Sequence, residues 1–337
     1  MAMPSAAVSR RRFLAGAAAG AVALPAAAGL VTAAEPAASK TSESLAGLLH
    51  ASLSPKQREV VCFPWDYSHP KFGLLRTRVG NNWNATAPEV AGDFYTKDQQ
   101  RLIREIFEQL IEPDWHGRFD KQLEDDAGGF GHSQSIALIG EPAAGGKFQF
   151  LLTGRHMTLR CDGDSAEHVA FGGPIFYGHD AGGFNEGPQH SGNVFWPQAV
   201  AANRVYAMLD GKQRGVALVD KLPPENAIGF RGPDGAAPGI AVADLSADQR
   251  TEIEKVLAIL LEPYRTRDRD EVRGCLAKQG GLDRCRLAFY REGDLGNDGV
   301  WDCWRLEGPA FVWHFRGAPH VHVWVNVADT PTITTNA

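Results

Sequence analysis

The chain has 337 residues, of which 44% are hydrophobic and 22% charged. That composition excludes a disordered chain, a collagen and a coiled coil, and the length predicts two domains or one large one. The 34 basic and 40 acidic residues leave a formal net charge of −6, so the basic footprint of a nucleic-acid binder is missing.

Residues 1–34 read as an address. Arg10-Arg11-Arg12-Phe13-Leu14 opens an Ala/Gly-rich apolar stretch that ends at Thr32-Ala33-Ala34. A charged start, an apolar middle and a small-residue cleavage site define an export signal. The arginine pair followed by Phe13-Leu14 resembles a twin-arginine signal. It predicts cleavage after Ala34, the Tat translocation machinery as partner, and a periplasmic or secreted protein without membrane attachment. Residues 1–34 hold three arginines and no acid, so their removal leaves 303 residues and a net charge of −9. An exported chain is free to form disulfides. The cysteines are Cys62, Cys161, Cys275, Cys285 and Cys303. Their odd number leaves at least one unpaired. Cys275 and Cys285 are near enough in sequence to close a short loop, with small buried hydrophobes as the alternative.

Two later segments resemble each other at an offset of 150. Thr96 to Pro113 and Ser246 to Pro263 each start with a hydroxyl N-cap, place an acid in the first turn and end at Glu-Pro. Apolar residues at helical spacing (Leu102, Ile103, Ile106, Leu110 and Ile253, Val256, Leu257, Leu260) predict two amphipathic helices stopped by proline. Leu53 to Arg58 matches Leu209 to Arg214 as a shorter helix. Phe148 to Gly154 matches Asp302 to Gly308 as a strand entering a hairpin. The expected fold is α+β, an internally duplicated unit of helices followed by antiparallel β hairpins. Its halves are 45–165 and 205–325, joined by a Gly/aromatic-rich connecting loop over 166–204. Gly145-Gly146 and Asn297-Asp298-Gly299 read as hairpin turns. Asp294 to Asp302 lacks the spacing of a calcium loop.

The chemistry is expected at histidines. In His320-Val321-His322-Val323-Trp324-Val325, strict alternation predicts a strand with valines on one face and His320, His322 and Trp324 on the other. Side chains two apart on a strand stand roughly 7 Å apart in parallel, so two imidazoles can converge on one ion. His156, in Gly154-Arg155-His156-Met157, aligns with Ala310, so the halves differ there. Phe171 to Trp196 reads as a pocket wall that carries His179, a possible further ligand, and Asp180, with Asp162, Asp164 and Glu186 as groups that orient imidazoles or act as bases. Gly-x-Ser-x-Gly, Walker and His-Glu-x-x-His motifs do not occur.

The hairpin Gly154-Arg155-His156-Met157-Thr158-Leu159, the segment Gly173-Pro174-Ile175-Phe176, Asp210-x-x-Gln213, Gly308-Pro309 and the His320-Val-His322 strand occur in an order that resembles the bacterial domain-of-unknown-function family 3500. The resemblance implies a paired His at the first hairpin, where this chain has Arg155 before His156.

These observations predict an exported protein with a mononuclear transition metal, copper, iron or zinc. His156, His320 and His322 are the expected ligands, with His179 as a possible fourth. Arg155 is placed to bind an anionic small-molecule substrate or to orient a carboxylate, and Asp180 to act beside it. A metal-dependent oxidoreductase is favoured. The alternatives are a non-catalytic periplasmic binding module and a hydrolase.

Overall fold

The computed structural model describes residues 41–336, apart from 143–145, 183–185, 187–191, 297 and 334–335. The expected export signal and its cleavage site lie outside the described residues, as do His190, Gly145 and Asn297. Residues from Lys40 onward form one compact unit. Among the described residues no helix is long and apolar enough to cross a membrane.

The chain runs through α1 (Ser42–Ser52), α2 (Pro55–Val61), β1 (Cys62–Phe63), a small hairpin of β2 (Ser68–His69) and β3 (Gly73–Leu74), α3 (Lys97–Leu110) and α4 (His116–Ala127). Strands β4 (Gln134–Gly140), β5 (Phe148–Gly154), β6 (Met157–Cys161) and β7 (Ile175–His179) follow. A second set of elements follows: α5 (Trp196–Met208), α6 (Gly211–Ala217), β8 (Leu218–Val219), β9 (Ile240–Ala241), α7 (Ala247–Leu261), α8 (Thr266–Lys278), β10 (Arg286–Tyr290), β11 (Cys303–Gly308), β12 (Phe311–Arg316) and β13 (Val321–Val327). The fold is α+β. One mixed sheet has the order β1-β4-β5-β6-β7-β13-β12-β11-β10-β8, with β9 beside β10. Its middle is the antiparallel pair β7–β13, so the two sets of strands share one sheet.

The repeated letters have a physical cause. Thr96 caps α3 and Ser246 caps α7, each in a reciprocal capping box with a glutamine, Gln99 or Gln249. Each box satisfies helix-end donors and is worth about 1 kcal/mol. Each glutamine also interlocks with the capping glutamine of the shorter helix: Gln99 Nε2 to Gln57 Oε1 at 3.1 Å, and Gln249 Nε2 to Gln213 Oε1 at 2.8 Å. Each then closes the end of the preceding helix, Gln99 on Ser52 O and Gln249 on Met208 O.

Residues alternate across the sheet. Ile136, Leu138, Phe150, Leu152, Val323 and Val325 join the large core with the helices. Ala137, Ile139 and Leu151 pack under the 63–85 segment, while Phe176, Val312 and Trp324 pack under Val79 and Ile228. Long irregular segments therefore cover the face that the helices leave. The stretch 166–204, expected as a loop, contains β7 and the start of α5. Its aromatics Tyr177, Phe195 and Trp196 are core residues rather than a pocket wall, because they fill the space between sheet and helices. The cysteines are all free, Cys275 and Cys285 included.

Candidate metal centre

The β13 pattern puts Val321, Val323, Val325 and Val327 into the large core. His322 and Trp324 consequently occupy the other face. His320 lies just before the strand rather than in it. The register sets His322 opposite Gly178 of β7. His156 comes from the tight turn of the β5–β6 hairpin, closed by the Gly154–Met157 pair. Its φ is +54°, a left-handed conformation that costs a non-glycine residue roughly 1–2 kcal/mol. The surroundings hold it there: its N–H donates to Asn81 O at 2.9 Å and its carbonyl accepts from Gly178 N at 3.2 Å. Strained residues of this kind gather at functional sites. Gly178 is also spatially required, since a Cβ there would stand 2.5 Å from Val321 O and 3.4 Å from the His156 ring.

The three imidazoles converge. His322 Nε2 lies 3.1 Å from His156 Nε2 and 3.0 Å from His320 Nε2. One ligand atom from each of the three falls within 4.8 Å of the others. All three residues are buried. Carboxylates stand at the far nitrogens. His156 Nδ1 is 2.8 Å from Asp126 Oδ2 at the end of α4. His322 Nδ1 is 2.9 Å from Glu225 Oε2, and His320 Nδ1 is 3.9 Å from Asp180 Oδ2. An ionised carboxylate only accepts, so the Asp126 and Glu225 contacts place a proton on Nδ1 of His156 and His322 and leave each Nε2 with its lone pair. This is the arrangement that orients imidazoles toward a metal.

Electrostatics keeps the His320 and His322 rings uncharged. Burial pushes the His322 imidazolium down to about 3. Burial, then the nearby His156, pushes His320 down to about 4, so both are neutral near pH 7. Burial opposes ionisation of Glu225, but the hydrogen bond from His322 and the charge of Arg316 hold its carboxyl down at about 2. Asp126 is likewise held low against burial by His156 and by the Gln122 amide. Arg155 lies at the rim, 40% exposed, with Nη2 3.3 Å from Asp180 Oδ2 and Nε 3.9 Å from Asp126 Oδ1. The Asp180 N–H donates to Asp126 Oδ1 at 3.0 Å, which ties the rim to the support of His156.

His179 is not in this cluster. Its Nδ1 accepts from Val194 N at 3.2 Å and its Nε2 bonds Asp125 Oδ2 at 3.0 Å, so one ring nitrogen is committed to the segment after β7 and the other to α4. Glu186 accepts from the 181–182 backbone and from Asn193. Asp162 accepts from Ala166 N, and Asp164 pairs with Arg267. None of these three reaches an imidazole of the centre. Sequence reasoning missed Asp126 and Glu225, which sit at a helix end and in an irregular segment, where no periodicity marks them.

A family model described as a protein of unknown function, DUF3500, matches residues 33–326. The chain belongs to this family. No curated protein and no solved structure matches it. The family description supplies no reaction, so the functional reading depends on the geometry above.

Proposed function

We propose that the protein binds a single transition-metal ion through Nε2 of His156, His320 and His322, and that it is an exported, mononuclear metal-dependent enzyme. The observation that carries this reading is the convergence of three buried imidazoles, two of them backed by an ionised carboxylate. With Nδ1 of His156 and of His322 donating to carboxylates, their Nε2 lone pairs face each other at 3.1 Å, an arrangement that a cation between them would relieve. Imidazole donors suit copper, iron and zinc alike. Three protein ligands leave a coordination position for exchange, and the bound ion would supply Lewis-acid or redox chemistry there.

Arg155 and Asp180 form the reactive rim in this reading. The half-exposed guanidinium is placed to hold an anionic group of a small-molecule substrate, and Asp180 to accept a proton beside it. Copper or iron would make the enzyme an oxidoreductase and zinc would make it a hydrolase. A purely ligand-binding module is less well supported, because its expected aromatic contact surface is packed in the core. The two sets of elements read best as two copies of one unit, with residues 1–34 as the export signal.

The deciding experiment is metal analysis of protein exported by its own signal, beside a His320→Ala/His322→Ala variant. About one metal ion per chain is expected in the wild type, with loss of nearly all of it in the variant. A metal-free wild type that does not rebind copper, iron or zinc overturns the reading, as does unchanged metal content in the variant.

A further inference from the structure

The face of β13 that carries His322 also carries Trp324 and, roughly 13 Å further along, Asn326. Asn326 is buried. Its Nδ2 donates to Ile228 O at 2.9 Å, and its Oδ1 has no hydrogen-bond partner among the described residues. Buried polar atoms are nearly always paired, so this acceptor calls for a donor from outside the chain. Asn326 is part of the wall of a cavity of about 230 Å³, which Trp65, Arg76, Lys147, Glu167 and Pro174 also line. Ile228, which takes the amide Nδ2, is not in that wall. The volume is below the roughly 300–1,000 Å³ of sites for drug-sized ligands, so the cavity suits a smaller molecule.

Two of the lining side chains are cations with donors to spare. The Arg76 guanidinium lies 5.0 Å over the Trp65 ring, and its Nε is buried without a hydrogen-bond partner among the described residues. Its ion pair with Asp66 is long, 4.0 Å, and the Asp66 side chain is 83% exposed, so water screens the pair. Lys147 is exposed and forms no ion pair among the described residues. Glu167 is the one carboxylate in the described lining, and it is exposed.

The walls are fixed before any ligand arrives. The buried Arg160 guanidinium donates from Nε to Pro174 O at 2.7 Å and from Nη1 to Arg76 O and to Gln149 Oε1, both at 2.8 Å, while Nη2 holds Arg78 O. Gln149 Nε2 in turn donates to Gly172 O at 2.6 Å. One cation and one amide thus clamp the 76–78 segment to the 172–174 corner, so little ordering cost remains for binding.

We propose that this cavity binds a small hydroxycarboxylic acid. Its carboxylate pairs with Arg76 and Lys147, its hydroxyl donates to Asn326 Oδ1, and its hydrocarbon part lies against Trp65 and Pro174. Glu167 disfavours a second carboxylate. The site does not depend on metal binding at the His cluster.

The test is calorimetric titration of the full chain with three probes. They are mandelate, phenylacetate, which lacks the hydroxyl, and mandelamide, which lacks the charge. Saturable binding of mandelate is expected, with each of the other two at least three-fold weaker. Arg76→Gln should weaken mandelate about ten-fold or more, and Asn326→Ala should bring it down to the affinity of phenylacetate. If Asn326→Ala does not fold, Arg76→Gln decides, since Arg76 is partly exposed and its carbonyl keeps the Arg160 bond. Because a hydroxy acid can also chelate a metal, the titration is repeated on His320→Ala/His322→Ala, where the affinity for mandelate should be unchanged. The proposal is overturned by the absence of saturable mandelate binding, by equal affinity in Arg76→Gln, or by loss of binding in the double His variant.

Discussion

His156 and His322, 166 residues apart in the chain, face each other with Nε2 atoms 3.1 Å apart, while Asp126 and Glu225 occupy their opposite nitrogens. Each half of the molecule therefore supplies an imidazole together with its own carboxylate. His156 and Asp126 come from the first set of elements, His322 and Glu225 from the second. The central β7–β13 pairing brings the two sets together.

The supporting carboxylates are expected to tune the centre without being ligands. Glu225→Gln and Asp126→Asn keep the shape but lose the charge that polarises the imidazole. Each should weaken metal affinity by about 10–100-fold, measured by chelator competition, with little change in metal stoichiometry at saturating metal. Affinity equal to wild type in both variants would show that these contacts are structural only.

Gly178 is expected to matter for reasons of space. An added Cβ would press on Val321 O and on the His156 ring. Gly178→Ala should cost about 1–3 kcal/mol in urea unfolding, the usual range for overpacking. It should also lower metal affinity, because the strand and the ring must both shift. Retention of both properties would mean that β7 yields more easily than its buried pairing suggests.

Asp302 gives a pH signature of its own. Its side chain is fully buried, and burial, with Asp294 and Asp298 nearby, pushes its carboxyl up to about 7. The folded state therefore holds a proton that the unfolded chain releases near pH 4. This contribution is complete below about pH 4 and is lost as pH rises through about 7. Wild-type stability relative to Asp302→Asn should fall across that window by at most about 1.4 kcal/mol per pH unit. Urea unfolding from pH 4.5 to 7.5 reads the difference, and a pH-independent gap refutes the assignment.

The glutamine interlocks should be equivalent in the two sets of elements. Gln99→Ala and Gln249→Ala each remove the glutamine donor to a helix-end carbonyl, Ser52 O or Met208 O, and the bonds to the partner glutamine. Each should cost about 1–3 kcal/mol. A large effect at one position and none at the other would show that the two interlocks carry different loads.

Local physics made much of this protein legible from its letters. Thr96-x-x-Gln99 and Ser246-x-x-Gln249 mark helix starts because a capping box is a contact within one turn. The Glu-Pro pairs mark the stops, because proline lacks the N–H that another turn needs. Alternation in 320–325 gave the faces of β13, since successive side chains on a strand point opposite ways. His156 stood out because aligning the two similar segments sets Ala310 against it. Tertiary structure decided what spacing cannot encode. Asp126 and Glu225 reach the imidazoles only after a helix end and an irregular segment meet at one end of the sheet. His179 has the same side chain as the ligands, yet Asp125 and the Val194 amide claim both its nitrogens. The sequence by itself determined which residues can bond within a turn or alternate along a strand. The sheet then decided which imidazoles share one space, because convergence over 166 residues depends on the register between strands.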